Sequence, residues 1–231
     1  MEQLVLIKPV EVEGRLRILG LTEQLLIDPV KRGFFAWLNC TQNHPPAFAG
    51  IMAWGEANCG LREGLVPLGW ERHNDRNLPL TINRETGVAL TVSSGDECTG
   101  IEGMVPRTRN PKGVTIQDAT SSNRAQLGLF SDMDAPPDPT DLEAIEEWST
   151  WLLLTYRDTM TRTVRCELSR PIAIGIDGRV DGWAERIILG SIPFDGDEVL
   201  LVHDNDRGGD GSGSAETGSD DTIHVEVRRR A

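Results

Sequence analysis

The sequence predicts an α+β protein, with N-terminal helices and a small antiparallel sheet followed by a mainly antiparallel β meander. Three observations predict it. Apolar residues recur at helical spacing between residues 28 and 68, alternating apolar runs lie on both sides of that span, and glycine- and proline-rich turns separate the runs. At 231 residues, 39% hydrophobic and 26% charged, the chain is long enough for one large core or two small ones.

"QLVLIKPV" and "GRLRILG" read as a short pair of strands with Gly14 in the connection. In "DPVKRGFFAWLNC", Asp28 is placed to cap a helix with Pro29 at its first position. Val30, Phe34, Trp37 and Leu38 share one face, and the helix should stop near Cys40. A longer helix should begin after Pro45 and Pro46. Ala47, Ile51, Trp54, Leu61, Leu65 and Leu68 make its stripe, Asn58 interrupts it and Pro67 ends it. Each of its glycines at 50, 55, 60 and 64 would weaken an interior by up to about 1 kcal/mol relative to Ala. They point to close packing against a sheet.

"LPLTINRETGVALTVSS" predicts a hairpin with strands at 80–82 and 88–92 and Gly87 in the turn. After it, only residues 121–129 suit a further short helix. "SDMDAPPDPT" reads as an acidic, proline-rich linker, and the capping box Thr140 to Glu143 opens a short acidic helix. "WLLLTYRD", "TVRCELSRPIAI", "AERIILGSI", "EVLLVH" and "TIHVEVRRR" read as strands. The organisation is therefore an α+β region over 1–130, a linker over 131–140, and a mainly β region over 141–231 with a disordered loop at 204–221.

A net charge of −13 argues against the basic face that nucleic acids and anionic membranes require. Much of it is local, since 132–147 holds seven acids and no base and 204–221 holds six acids against Arg207. Six tryptophans spread along the chain read as core anchors. Cys40, Cys59, Cys98 and Cys166 form no CxxC pair, Glu2 stands where a secretory signal wants a base, and no apolar run reaches membrane-spanning length. These features point to reduced thiols in the cytoplasm.

Three polar clusters carry the candidate chemistry. "ERHND" holds His73 and Asp75, "SSGDECT" holds Asp96, Glu97 and Cys98, and "PRTRNPKG" holds Arg107, Arg109 and Lys112. His73, Asp75, Asp96 and Glu97 are donors suited to a divalent metal that acidifies a bound water, with Asp96, Glu97 and His73 foremost. The three bases suit an anionic substrate such as a phosphate. Read structurally, Asp and Glu after a Ser-Gly turn simply end a strand, because such side chains bond the local backbone. Gly95 is expected to take a positive φ that turns Asp96 and Glu97 toward residues 107–112. Both carboxylates oppose a thiolate at Cys98. The glycine-rich 208–213 segment precedes no apolar-periodic helix, which removes the dinucleotide and P-loop readings, and HExxH and GxSxG are absent.

The stretch "RNLPLTINRETGVALTVSSGDECTG…PRTRNPKG", with the later "WLLLTYRD…VRCELSRPI…GWAERIILG", resembles an uncharacterised family of bacterial proteins carried on plasmids and integrated elements. The resemblance covers roughly residues 55–192 and brings no catalytic residues. It implies a bacterial cytoplasmic accessory protein of a mobile genetic element. The first functional reading is therefore a binding protein that works through protein contacts without a cofactor, its acidic segments steering it to a basic partner. The alternative is a metal-dependent hydrolase or nuclease-like enzyme using residues 73–112.

Overall fold

Val12, Leu16 and Leu19 are buried at spacings of four and three, which is a helical period, and they set the first departure from expectation. In the computed structural model, which describes residues 3–131 and 147–194, only Leu4–Leu6 (β1) of the N-terminal segment is a strand. Pro9–Ile18 is helix α1, with Pro9 at its start. The Leu16-Arg17-Ile18 alternation mimicked a strand, yet Ile18 faces solvent.

Helix α2 (Glu23–Leu38) starts earlier than Asp28, because the Thr22 hydroxyl accepts from the Leu25 amide, and Pro29 lies inside it. Helix α3 (Phe48–Leu65) runs as expected into a single 3₁₀ turn, Val66–Leu68, that ends on Gly69 at φ 91°. Close packing here is between helices. A Cβ on Gly33 would lie 2.5 Å from the Ala53 carbonyl oxygen and 2.9 Å from the Ala57 Cβ.

The remaining elements are β2 (Glu71–Asp75), β3 (Leu78–Asn83), β4 (Val88–Ser94), α4 (Val114–Ser131), β5 (Ser149–Asp158), β6 (Thr163–Ile174), β7 (Val180–Ile188) and β8 (Ile192–Pro193). They form one eight-stranded mixed sheet in the order β1-β7-β6-β5-β4-β3-β2, with β8 on β6. The protein is α+β. In place of a small antiparallel sheet followed by a separate meander, two antiparallel triplets are joined by a parallel β4–β5 pair, and β1 adds parallel to β7. A parallel pair needs a crossover, and α4, which begins at Val114, belongs to it. The two sequence regions thus share a sheet, and the described residues belong to one unit, Met1–Phe194. The linker beyond Ser131, the short acidic helix expected through Glu147 (except Glu147 itself), the loop at 204–221 and the last two expected strands lie outside the described residues.

Alternation along the strands separates two faces. Trp151 and Leu153 of β5, with Val88, Leu90 and Val92 of β4, pack against α1, α2 and α3. Leu152 and Leu154 point the other way, toward Ile116 of α4. Asn58 is buried for a reason. The β3–β4 register stops at Thr81 opposite Leu90, and continuing it would set Pro79, which has no N–H, opposite Val92. Helix α3 supplies the missing partners. The Val92 amide donates to Asn58 Oδ1 (3.3 Å), and Trp54 Nε1 donates to the Val92 carbonyl (3.2 Å).

Gly33→Ala should destabilise the chain by about 1–3 kcal/mol, since a methyl forces α2 off α3. Gly55→Ala, on the same helix pair but with nothing within 4 Å, should instead stabilise it by up to about 1 kcal/mol. Urea denaturation of the two variants checks this contrast, and equal effects would show that α2 and α3 have room to separate.

Candidate functional site

Residues 95–113 leave β4, cross the α4 side of the sheet and return. The crossing is fixed by a buried ion pair. Glu167 of β6 and Arg186 of β7 are 0% and 1% exposed, with Arg186 Nη2 2.6 Å and Nε 3.0 Å from the carboxylate. The remaining capacity of the pair is spent on the loop. The Gly100 amide donates to Glu167 Oε2 (2.8 Å), and the Arg186 guanidinium donates to the carbonyls of Ile101 (3.3 Å) and Met104. Ser169 Oγ donates to Glu167 Oε1 (2.7 Å). A loop poor in buried apolar side chains brings backbone donors and acceptors into the interior, and this ion pair matches both kinds.

The return leg lies beside the end of β4. Gly95 bridges Thr108, the Asp96 amide donates to the Arg107 carbonyl (3.0 Å), and the Arg109 amide donates to the Ser94 carbonyl (2.8 Å). Thr108 is fully buried, so its neighbours Arg107 and Arg109 face outward. Gly95 does not take the expected positive φ. It is required by closeness, because a Cβ there would meet the Thr99 hydroxyl and lie 3.2 Å from the Thr99 Cβ.

The loop closes one wall of a crevice of about 550 Å³ at the carboxyl ends of β4 and β5. The crevice exists because the chain leaves β4 toward the α4 face while α2 and α3 cover the other, the arrangement that opens ligand sites in sheets with parallel strands. Phe34, Trp37, Trp54 and Val92 give it apolar walls, and Tyr156 lines it too. Among the described residues its charged lining is Arg109, Lys112 and Arg157, and no carboxylate lines it. Among the described residues none of these three cations has an acidic partner within salt-bridge distance. The Arg157 guanidinium lies over the Trp37 ring, 4.2 Å from its centroid. Burial, and next the charge of Arg109, hold Arg157 below the usual arginine value. Lys112 Nζ donates to Ser93 Oγ at 2.6 Å, and burial lowers its amine from 10.5 to about 8. The first turn of α3, which also borders the crevice, has neither a capping side chain nor an acid.

Of the sequence candidates, the crevice brings together Arg109 and Lys112. Arg107 turns away to Asp177 (2.7 Å). His73 sits on the edge strand β2 opposite Leu80, its ring edge-on to Trp148, and Asp75 ends that strand. Asp96 forms a local turn, its Oδ1 accepting from the Cys98 amide (3.1 Å), and Glu97 is exposed. Among the described residues no three His, Cys, Asp or Glu side chains are placed to hold one metal ion, so His73, Asp75, Asp96 and Glu97 are not gathered. Burial, and then Asp96 and Glu97, push the Cys98 thiol up, as the sequence implied. Sequence reasoning missed Arg157. Its signal, a base at the end of "WLLLTYRD", has meaning only once β5 is known to run parallel to β4.

Comparison with family models, with curated proteins and with solved structures returns no match for this chain. Among the described residues no helix is long and apolar enough to cross a membrane.

Two predictions follow from this geometry. Glu167→Ala should cost about 3–5 kcal/mol, because it leaves a buried guanidinium unpaired. The double variant E167L/R186M should cost less than the sum of its singles in urea denaturation. Additive costs would mean that the two residues act separately. The second concerns pH. The unfolded chain holds the Lys112 proton up to about 10.5 and the folded chain only to about 8. Relative to Lys112→Met, the wild-type chain should therefore gain stability as the pH rises from about 8 to 10.5, with a constant difference below that window. A flat difference across it would mean an ordinary, solvated amine.

Proposed function

We propose that the chain is a binding protein for a small organic anion with an apolar or aromatic body, held in the crevice between the ends of β4 and β5 and helices α2 and α3. One observation carries this reading. Among the described residues, which hold 19 acids and 19 Lys and Arg, the crevice is lined by three cations without acidic partners and by no acid. An anion between Arg109 and Arg157 would relieve the repulsion of the first on the second, and the apolar walls would take the rest of the ligand. The volume suits a ligand of ordinary metabolite size.

The setting we propose is a bacterial cytoplasmic accessory protein of a mobile genetic element. Any basic protein partner would meet the acidic segments at 132–147 and 204–221, which lie almost wholly outside the described residues. No observation favours the metal-dependent hydrolase reading over the binding one.

Calorimetric titration and thermal unfolding against a panel of organic phosphates and aromatic carboxylates test the proposal. A true ligand at a hundredfold excess over its Kd should add roughly 2.7 kcal/mol of stability. The double variant R109Q/R157Q, which leaves the fold's buried pairs intact, should lose that response. Equal responses from both proteins would place the binding elsewhere, and no response to any anion would overturn the reading.

A further inference from the structure

We infer that Lys112 is a nucleophilic amine, forming a reversible imine with an anionic aldehyde or ketone bound in the crevice. The inference rests on the anion-binding reading and adds a covalent step to it. The chain has only three lysines, Lys8, Lys31 and Lys112, and otherwise uses arginine for its cations. Arginine stays protonated in proteins, whereas a lysine can shed its proton and offer a lone pair. Lys8 is 73% exposed and paired with Glu11. Lys112 is the lysine that lines the crevice, and there its hydrogen-bond partner is a hydroxyl, Ser93 Oγ.

The crevice gives Lys112 no counter-ion among the described residues. The other charged or titratable side chains of its described lining are Arg109, Arg157 and Tyr156, none of which stabilises an ammonium as a carboxylate would. Desolvation, which is what lowers Lys112, is a recognised way to activate an amine nucleophile. The same two arginines would hold the ligand's anionic group, leaving its carbonyl within the crevice that Nζ shares. The step balances without an oxidant or reductant. The Nζ lone pair adds to the carbonyl carbon, the two protons of the neutral amine pass to the carbonyl oxygen, which leaves as water, and a C=N bond remains. Water reverses it. Ser93, hydrogen-bonded to Nζ from strand β4, positions the amine.

The test uses the full-length protein and pyridoxal 5′-phosphate, an aromatic aldehyde that carries a phosphate. Imines are trapped with borohydride and mapped by peptide mass spectrometry. The expected result is an adduct mainly on Lys112, with labelling by pyridoxal, which lacks the phosphate, weaker by about tenfold, the worth of one good charge contact. R109Q/R157Q should reduce the phosphate's advantage. Lys112→Arg, which keeps the cation without a nucleophilic lone pair, should abolish the adduct while a thermal shift by pyridoxal 5′-phosphate persists. Adducts spread evenly over Lys8, Lys31 and Lys112 would overturn the inference. A thermal shift without any adduct on Lys112 would overturn the covalent step and leave the anion crevice standing. Neither shift nor adduct would count against both.

Discussion

The Glu167–Arg186 pair is the constraint on which the rest of the site depends. It is buried on the α4 face of a sheet whose opposite face is almost wholly apolar. An isolated charge there would cost several kcal/mol, and even a paired one gains little over a hydrophobic pair. Its value lies in what it holds. One guanidinium and one carboxylate bind the backbone of residues 100, 101 and 104, and so turn an irregular loop into a lid over β6 and β7. Trp183 completes the grip, its Nε1 donating to the Pro106 carbonyl at 2.7 Å. With that crossing fixed, the return leg has one path, beside the end of β4, and Arg109 and Lys112 are carried into the crevice.

A second constraint opens the space they enter. Pro79 ends the pairing of β3 with β4, and α3 moves into the gap to satisfy Val92 through Asn58 and Trp54. Arg62 reinforces the wedge, donating to the carbonyls of His73 (2.9 Å) and Leu80 (3.2 Å). Helix α3 therefore stands against the end of β4 and presents its first turn to the crevice. Tight contact at Gly33 draws α2 along with it, which brings Phe34 and Trp37 to the apolar wall. The crevice is thus a product of one missing N–H and one missing Cβ.

This explains what was legible in the sequence. Helices α2 and α3 and the β3–β4 hairpin announce themselves by period and turn chemistry, which are local. Helix α1 was hidden because Leu16 and Ile18 happen to alternate, although only Leu16 is buried. Strand β2 was hidden because an edge strand needs no apolar alternation, and "ERHND" has none. The parallel β4–β5 pair could not be read at all, since it is a relation between segments some 60 residues apart. With it went the meaning of Arg157. Arg109 and Lys112 were legible as bases in a polar loop, but nothing local separates them from Arg107, which the fold assigns to Asp177. Glu167 passed unnoticed inside the strand "TVRCELSRPIAI", and its partner Arg186 is set by strand register.

Net charge and local charge are separate matters here. The full sequence carries −13, but the described residues hold 19 acids and 19 Lys and Arg, so the whole excess falls in residues 1–2, 132–146 and 195–231. Against that balanced background the crevice has a sign of its own. Among the described residues its lining holds Arg109, Lys112 and Arg157 and no carboxylate, and burial already lowers Lys112 and Arg157. Charges gathered in a partly desolvated space are screened less than the same charges spread over a surface. The sign of the crevice is therefore set by where the return leg and β5 place three side chains, and the net charge of the chain does not bear on it.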